Sequence, residues 1–421
     1  MEENRIAKFL LPRRVSLYQG VFIVMGYHTL DESFMVGLHF EDEVQPFGSF
    51  IHGIKQAERQ TLKETVLANS VRTQHPMVWV SPGICVELTF ESIENGKLMN
   101  PAFQAFRFSM DWKACTWNKM IIENAAVQEP FNLTHPDKVI WDNPRIDKES
   151  FVAYLIQISP YMLPFLQNRA LTTIRYPKGI HGESFYQRNC PDYAPDFIKT
   201  SERNGIVNIV CNELSTLIWL GNQLAIEYHI PFQTIDTDLP LEIVLDLDPP
   251  SRDHFPLAVK AALELKTVFD SFGFISYPKL SGGKGLQIHI PLPRSSSLTY
   301  EDIRILTSFL ADYLVQKHPE DFTIERLKKN RGARLYIDYV QFAAGKTIIC
   351  PYSTRGNEEA TVATPLYWHE VNDQLTAGKF NIPNVLNRLA NGDCPMRNFF
   401  QTDNRSLFPV LSMLKDKVKV K

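Results

Sequence analysis

The sequence has no long apolar run, few cysteines and no excess of basic charge. No window approaches the roughly 18 uninterrupted apolar residues of a membrane-spanning helix. The amino-terminal residues place acids before a short apolar stretch, which is not the pattern of a secretory signal. The six cysteines are scattered without a CxxC pair, which argues against a disulfide scaffold or a zinc ribbon. We therefore expect a cytoplasmic protein with no membrane partner.

The charge balance is close to neutral, at a formal net charge of −3 over 421 residues. This balance argues against nucleic-acid binding across the whole surface but leaves room for a local basic groove. The densest basic stretch is ERLKKNRGAR, residues 325–334. A run of this kind is commonly a solvated face, so it identifies no site on its own.

Two patterns divide the chain. Residues 15 to about 110 consist of short β-type runs around one helical segment, in which Leu62, Val66 and Leu67 are predicted to share a face. This pattern is typical of a small barrel of the OB kind, which we assign to residues 1–125. Residues 126–421 mix helices and strands, which predicts an α+β domain. The segment WDNPRIDKES, between the two patterns, is predicted to be a linker.

In the second pattern we expect one sheet of five strands, covered by helices mainly on one face. The predicted strands are LEIVLDLD, GFISYPKLSG, GLQIHIPLP, ARLYIDYVQ and TIICPYS. Four segments show helical periodicity: KESFVAYLIQISPYMLPFLQ, ELSTLIWLGNQLAIEYH, PLAVKAALELKTVFDSFG and TYEDIRILTSFLADYLVQKH.

Two carboxylates end the predicted strand LEIVLDLD. Residues i and i+2 of a strand project from the same face, so Asp246 and Asp248 lie side by side. They are either exposed acids that bond turn amides or a pair whose repulsion a cation relieves. Asp338 ends a second apolar strand. Three such carboxylates suit Mg²⁺ or Mn²⁺, and two ions held together can serve a nucleotidyltransferase.

A glycine-rich stretch, SGGKG, precedes the predicted strand GLQIHIPLP. Its glycines permit an anion to approach the backbone closely, while Ser281 adds a hydroxyl and Lys284 adds a positive charge. It is not a P-loop, since GxxxxGK[ST] is absent and a strand follows. A plain glycine-rich hairpin is the alternative. Beside the acids, the stretch is predicted to hold a triphosphate.

Several of these motifs resemble the polymerase domain of bacterial ligase D, a member of the archaeo-eukaryotic primase superfamily. The likeness covers about residues 130–400. It is carried by LTHPDKVIWD, NRALTTIRYPKGIHGESFYQR, WLGNQLAIEYHIP, LDLDP, SGGKGLQIHIPL, YIDYVQ and TIICPYSTRG. The resemblance implies a primase/polymerase α/β domain with an RRM-like catalytic sheet. It also implies gap filling in non-homologous end joining with Ku at the nucleoid, and a preference for NTPs over dNTPs.

The resemblance also implies roles for individual residues. The metal-binding and catalytic acids would be Asp246, Asp248 and Asp338, which hold two Mn²⁺ or Mg²⁺ ions. The nucleotide-binding residues would be Ser281, Lys284, Arg331, His229, Gln341 and Arg355. The residues that contact DNA ends or gapped DNA would be Lys138 and Lys148, at a 5′-phosphate, and Phe185 and Tyr186, on the template base.

The sequence departs from the family pattern at a few positions. Gln287 stands where histidine is frequent, with His289 two residues later, and Arg188 stands where lysine is usual. Thr173 and Ile174 replace basic residues before Arg175, whose role the resemblance leaves open. None of these changes touches the three acids.

The amino-terminal part resembles the OB domain that follows the adenylation domain in ATP-dependent ligases, through VFIVMGY, FGSFIHGIKQAERQTL, MVWVSPGICVELTFESI and GKLMNPAFQAFRF. The KxDG nucleophile motif is absent from the sequence. Because ligation needs a lysine that accepts AMP, we do not expect this polypeptide to seal nicks alone. A separate ATP-dependent ligase is the expected partner.

The OB part is then either a DNA-binding module or a remnant. Its strands carry aromatic residues that could stack on bases, but we assign most of them to the barrel core: Phe22, Tyr27, Phe34 and Phe40. Two other functions stay open for the whole chain. One is a primase that starts strands de novo, and the other is a non-catalytic DNA-binding scaffold that recruits a ligase.

Overall fold

The computed structural model describes residues 17–40, 43–94, 96–128 and 131–419. The chain divides into two compact units. The first comprises Met1–Lys138, Asp147–Pro160 and Leu386–Asn391, and the second comprises Val139–Ile146, Tyr161–Val385 and Gly392–Lys421. Within the described ranges, no helix has the length and apolar character that crossing a membrane demands.

The first unit is built mainly from short strands. Its strands are Tyr18–His28 (β1), Phe34–Phe40 (β2), Glu43–Phe50 (β3), Ser70–Gln74 (β4), Met77–Val80 (β5), Cys85–Phe90 (β6), Ser92–Glu94 (β7), Lys97–Met99 (β8) and Ala102–Phe106 (β9). The helices are Gln56–Ala68 (α1) and Trp117–Gln128 (α2). Strands β7 and β8 form a separate hairpin.

The long strand β1 curls the main sheet of the first unit. Its first half pairs with β6, and its last residues pair with β5. On its other side β1 pairs with β2, with a register shift between Val24 and Gly26. All pairings are antiparallel, in the order β3-β2-β1-β5-β4, with β6 joining β1 to β9. This curled half-barrel is consistent with the predicted OB-like barrel.

The core of the first unit is rich in aromatic side chains. Phe22, Tyr27 and Phe34 are buried, as predicted, whereas Phe40 is 42% exposed at the end of β2. Helix α1 buries Leu62 and Val66. The prediction that Leu67 shares their face is wrong, because its side chain is 43% exposed. Residues of a helix share a face when they lie three or four positions apart, and Leu67 lies five positions after Leu62 and one after Val66.

The remaining elements follow α2 along the chain, and the two units divide one short strand and two of the helices between them. The strands are Val139–Asp142 (β10), Arg145–Asp147 (β11), Thr172–Arg175 (β12), Phe185–Gln187 (β13), Thr200–Arg203 (β14), Ile206–Ile209 (β15), Ala225–Pro231 (β16), Glu242–Asp248 (β17), Tyr277–Leu280 (β18), Leu286–Pro291 (β19), Phe322–Thr323 (β20), Leu335–Asp338 (β21) and Thr347–Ile349 (β22). The helices are Lys148–Leu166 (α3), Leu214–Asn222 (α4), Phe255–Phe272 (α5), Tyr300–Lys317 (α6), Ile382–Asn391 (α7) and Leu407–Lys419 (α8).

Two sheets form the centre of the second unit. The first has the order β18-β19-β17-β21-β20 and is antiparallel except for the short parallel pair β20–β21. The second has the order β13-β12-β16-β22. The prediction that TIICPYS is the fifth strand of the catalytic sheet is therefore wrong. Its residues pair with β16 instead, where His229 is the register partner of Ile349.

Helices cover one face of the five-stranded sheet. Helix α5 contacts β17 and β19 and ends at Gly273, whose φ of 68° suits the left-handed cap. The other face is covered as well at the central strands, because every residue of β19 is buried. The second sheet meets this face: Lys279 donates to the Ile349 carbonyl at 3.1 Å.

Two further sequence predictions need correction. The expected linker at 141–150 begins as a hairpin of β10 and β11, in which the Trp141 side chain is fully buried. The helix expected through AIEYH ends at Asn222, and the chain continues as β16 after Leu224, whose φ is 58°. In AIEYHIP, β-branched and aromatic residues alternate with polar ones, which favours a strand over a helix. The other three predicted helices are confirmed as α3, α5 and α6.

Candidate active site

Three carboxylates meet near the ends of β17 and β21. Asp246 and Asp248 project from one face of β17, while Ile243, Leu245 and Leu247 are buried on the other face. Asp338 lies on the antiparallel neighbour β21, as the register partner of Asp246. Its Oδ1 accepts the backbone N–H of Gln341 at 2.9 Å. The strand register thus brings together the acids that the sequence singled out.

The acids are partly removed from water. Although one side of Asp246 faces a cavity, burial raises its pKa to about 6, and the charges of Asp248 and Asp338 add to the rise. Burial is also the main reason that the pKa of Asp338 is raised. Carboxylate oxygens that ionise with difficulty in the metal-free protein are suitable ligands for a hard divalent cation. The donor set therefore fits Mg²⁺ or Mn²⁺.

The SGGKG stretch forms a tight loop between β18 and β19. The Ser281 backbone N–H donates to the Gly285 carbonyl at 3.0 Å, and the Ser281 Oγ accepts the N–H groups of Gly283 and Gly285. Gly282 has a φ of 71°, and a Cβ there would lie 2.8 Å from the Arg355 side chain. A Cβ at Gly285 would lie 2.7 Å from the Leu247 carbonyl oxygen. Glycine is thus required for the loop to pack against β17.

A cavity of about 260 Å³ joins the loop to the acids. Its lining includes Asp246, Asp248, Ser281, Gly283, Lys284, Gly285, Gln287, His229, Gln341 and Arg355. The Lys284 ammonium lies 3.1 Å from Asp248 Oδ1 and donates to the Pro249 carbonyl at 2.5 Å. A larger cavity of about 860 Å³ borders the β14–β15 hairpin but contains none of the three acids. We therefore take the smaller cavity as the candidate active site.

Glu227 organises one wall of this site, and the sequence analysis did not identify it. Its Oε2 lies 3.0 Å from His229 Nε2 and accepts Arg355 Nη1 at 2.9 Å, while its Oε1 accepts the Gly356 N–H. Burial alone would raise the Glu227 pKa, but the hydrogen bond from His229 and the charge of Arg355 hold it below the usual value. The i, i+2 spacing of Glu227 and His229 on β16 was the available signal.

Arg331 lies on a different wall of the acid cluster. It follows the short 3₁₀ turn Lys328–Asn330, and its guanidinium carbon lies 3.7 Å from the centroid of the Tyr336 ring. Its Nε and Nη2 donate to the carbonyl oxygens of Glu325 and Arg326, both at 2.8 Å. Together with Asp248, Lys284 and basic neighbours, Arg331 lines a cavity of about 190 Å³. The basic run thus places one fixed, stacked guanidinium beside the acids.

The aromatic pair lies on β13, an edge strand. Phe185 is 45% exposed and Tyr186 is 73% exposed. The Arg175 guanidinium carbon lies 5.4 Å from the Phe185 ring centroid, and Arg175 also donates to Tyr193 and Gln187. Exposed aromatic faces held by an arginine are a platform on which nucleic-acid bases can stack.

Lys138 and Lys148 belong to the first unit. The Lys148 backbone N–H donates to the Lys138 carbonyl at 2.9 Å, and the Lys148 Nζ donates to Thr134 Oγ1 at 3.3 Å. The Lys148 pKa is lowered, first by burial and then by the charge of Lys138. The charge of Lys138 is thus felt at Lys148, and the two lysines concentrate positive charge in this part of the first unit.

A second group of potential metal ligands lies on the surface after α6, at His318, Glu320 and Asp321. Two of these residues have protein partners, since Asp321 pairs with Lys260 at 2.5 Å and His318 Nε2 lies 3.0 Å from Glu264. These contacts account for the group, and we assign no metal to it.

The carboxylate cluster, the glycine-rich loop with its lysine and the flanking arginines define the class of protein. The chain is a metal-dependent nucleotidyltransferase. Its residues 147–396 match the family described as LigD, primase-polymerase domain. The chain belongs to this family, which confirms the resemblance and the predicted fold class.

Individual relatives support the same assignment. The chain is 45% identical over 418 residues to the bifunctional non-homologous end joining protein LigD of Bacillus subtilis strain 168, covering 99% of this chain and 68% of that protein. It is 30% identical over 269 residues to the multifunctional LigD of Mycolicibacterium smegmatis, covering 62% of this chain and 35% of that protein. The chain thus spans about two thirds of one relative and about a third of the other.

Among solved structures, the polymerase domain from Mycobacterium tuberculosis Ligase D in complex with DNA is similar, with a TM-score of 0.60 and 25% identity. The match covers 64% of this chain and 98% of that domain. These findings do not favour the two alternative functions, a de novo primase and a non-catalytic scaffold.

Proposed function

We propose that this chain fills gaps at DNA double-strand breaks by template-directed nucleotide addition, with two Mg²⁺ or Mn²⁺ ions and a preference for NTPs over dNTPs. One observation carries the proposal. Asp246 and Asp248, with Asp338 beside them, share a cavity with the SGGKG loop, in a chain that aligns over 99% of its length with an end-joining LigD.

The residues of the cavity divide the binding of the incoming nucleotide. Ser281 and Lys284 hold the triphosphate through a hydroxyl and a charge. Arg355 and His229, both fixed by Glu227, face the nucleotide from the opposite wall, and Gln341 closes the side next to Asp338. The planar guanidinium of Arg331 is held in one orientation by its contact with Tyr336.

The reaction joins the primer to the α-phosphate. The primer 3′-oxygen forms a bond to the α-phosphorus, the bond to the bridging oxygen of the leaving group breaks, and pyrophosphate departs. Asp246, Asp248 and Asp338 would hold the divalent ions, which supply positive charge for the attacking and leaving oxygens. Lys284, which lies 3.1 Å from Asp248, stays within reach of both the acids and the phosphates.

The remaining predicted contacts concern DNA. Phe185 and Tyr186 offer exposed rings for the template base, and stacking of this kind tolerates any sequence. Lys138 and Lys148 would bind the 5′-phosphate on the far side of a gap. The same substrate implies action at the nucleoid with Ku and a separate ATP-dependent ligase. We keep residues 1–125 as the OB part, for DNA binding or as a remnant, and residues 126–421 as the polymerase part.

A gapped duplex with a downstream 5′-phosphate tests the proposal. We expect template-matched incorporation of labelled NTP, and more slowly of dNTP, with Mg²⁺ or Mn²⁺. The double variant Asp246→Ala/Asp248→Ala should give no product while retaining the circular dichroism spectrum of the wild type. Asp253→Ala, at an exposed acid soon after β17, is the matched control and should be fully active.

Extension by the double variant at the wild-type rate would refute the assignment of the acids. If the wild type bound gapped DNA yet incorporated nothing with either metal, the scaffold function would be correct. Synthesis from NTPs on single-stranded template without a primer would identify a primase.

A further inference from the structure

Lys279 is a charged residue buried inside the catalytic unit, and none of the roles above uses it. Lys279 is fully buried, with 0% of its surface exposed. Its ammonium donates to Gln287 Oε1 at 2.5 Å and to the Ile349 carbonyl at 3.1 Å. Neither acceptor carries a charge. A buried ammonium is costly, and neutral partners offset only part of that cost, so burial lowers the Lys279 pKa to about 7. The presence of a lysine at this position calls for an explanation.

The explanation lies in a single row of residues across four neighbouring strands. Lys279 on β18 is the register partner of Gln287 on β19. Gln287 is in turn the partner of Asp246 on β17, and Asp246 is the partner of Asp338 on β21. The row therefore begins with a buried cation and ends with two of the three acids.

The chemistry of the row fixes the direction of its hydrogen bonds. The Lys279 nitrogen donates to Gln287 Oε1, so the Gln287 amide turns its oxygen towards Lys279. The amide nitrogen then points the other way, and Gln287 Nε2 donates to Asp246 Oδ1 at 3.1 Å. One oxygen of Asp246 is thus engaged by the protein, and its other oxygen remains for a ligand in the cavity.

We propose that Lys279 and Gln287 act as one positioning relay, which orients Asp246 for a divalent cation and partly neutralises the acid cluster before the cation binds. Lys279 touches neither the metal nor the substrate, and acts only through the Gln287 amide. The inference rests on the proposed function of the three acids as metal ligands. It adds two residues that hold the first of these acids in place.

The relay makes different demands on residue 287 and residue 279. At 287, a side chain needs one acceptor towards Lys279 and one donor towards Asp246. Neutral histidine meets this demand, whereas leucine has neither group and glutamate would turn a second negative charge towards Asp246. At 279, methionine keeps the length of the apolar stem but removes the charge that orients the amide.

Binding of Mn²⁺ alone, without DNA or nucleotide, tests the relay independently of turnover. Free Mn²⁺ is measured by electron paramagnetic resonance for the wild type, Lys279→Met, Gln287→Leu, the double variant and Gln287→His. We expect each of the first two variants to weaken Mn²⁺ affinity about 10-fold or more, as loss of groups behind a metal ligand does. The double variant should be no weaker than the stronger single effect, because the pair acts as a unit. Gln287→His should bind nearly as the wild type does.

Ile288→Ala is the matched control. Ile288 neighbours Gln287 on β19, is buried, and projects from the opposite face. The Ile288→Ala variant should lose stability without losing Mn²⁺ affinity. Thermal melts of all variants identify those that fold. Should Lys279→Met fail to fold, Gln287→Leu and Gln287→His carry the same comparison.

Folded variants that bind Mn²⁺ like the wild type would overturn the relay and leave the metal site standing. Losses of Mn²⁺ affinity that multiply in the double variant would also overturn the relay. Mn²⁺ binding that Asp246→Asn does not weaken would instead refute the metal site, and the relay with it.

Discussion

The acid cluster predicts that one conservative substitution stabilises the metal-free protein. Asp246→Asn keeps the shape of the side chain and an oxygen that accepts the Gln287 amide, but removes a charge that burial and two neighbouring acids disfavour. In EDTA at pH 7.5 we therefore expect the variant to be more stable than the wild type. Most substitutions at a buried polar site have the opposite effect.

The magnitude follows from the pKa of Asp246. Folding raises it from 3.8 to about 6, and each unit corresponds to about 1.4 kcal/mol. Because the carboxylate also faces a water-accessible cavity, we take about 1–3 kcal/mol as the gain. At roughly 2–4 °C per kcal/mol for a domain of this size, the melting temperature should rise by several degrees.

The stability difference between the variant and the wild type depends on pH. A carboxyl whose folded pKa lies above its unfolded value destabilises the fold increasingly as pH rises from about 4 to above 6. The advantage of the variant should therefore be full at pH 7.5 and reduced to about a third of that value at pH 4.5. Saturating Mn²⁺ should reverse the order, since the wild type gains stability from binding and the variant gains far less.

Differential scanning fluorimetry in EDTA and in Mn²⁺ measures these shifts. Asp253→Asn, at an exposed acid, is the control and should not move the melting temperature. A variant that melts below the wild type in EDTA at pH 7.5 would refute the reasoning. A stability difference that did not change between pH 4.5 and 7.5 would refute it as well.

Three further predictions concern single residues. Arg331→Lys removes the planar group that stacks on Tyr336. It should raise the KM for NTP about 10-fold in steady-state extension assays with little change in melting temperature; an unchanged KM would contradict the proposed role of Arg331. Lys148→Met removes the buried charge of a candidate phosphate site. In binding titrations it should reduce about 10-fold the preference for gapped DNA with a 5′-phosphate over gapped DNA with a 5′-hydroxyl; a preference equal to that of the wild type would count against this role. Arg169→Met leaves the buried Glu242 without its ion-pair partner and with only the hydrogen bond to His289, whose pKa burial lowers. It should lower the free energy of urea unfolding by about 3 kcal/mol; a loss below 1 kcal/mol would show that the ion pair contributes little.

The sequence predicted the residues whose positions follow from short-range pattern. The i, i+2 spacing of Asp246 and Asp248, the apolar run before Asp338 and the glycines of SGGKG all depend on local backbone geometry. The helices α3, α5 and α6 were also predictable, because α5 and α6 each carry an apolar stripe and α3 is apolar over most of its length. These features sufficed to locate the acids and the loop.

The errors arose where the outcome depends on a partner far along the chain. Helical periodicity continues from α4 into 225–230, where the alternation of AIEYHIP favours a strand, and pairing with β12 and β22 decides between the two. Similarly, nothing within TIICPYS specifies which sheet it joins. Lys279 and Glu227 were missed for a related reason, because a buried charge is identified by its partners, Gln287, His229 and Arg355. Periodicity carries no information about such contacts.

The pairing of β20 with β21 determines where the chain tolerates insertions and deletions. Phe322 and Thr323 pair with Leu335 and Tyr336, and this two-residue ladder helps to set the register of β21. A shift of one residue there would turn Asp338 from the cavity towards the helices. Residues 326–330, by contrast, are exposed and take no part in the ladder. A change in length across 326–330 would therefore spare the acids and displace Arg331, which the Arg326 carbonyl and the turn Lys328–Asn330 hold. A single deletion within residues 335–337 would instead remove an acid from the site without changing any acidic residue.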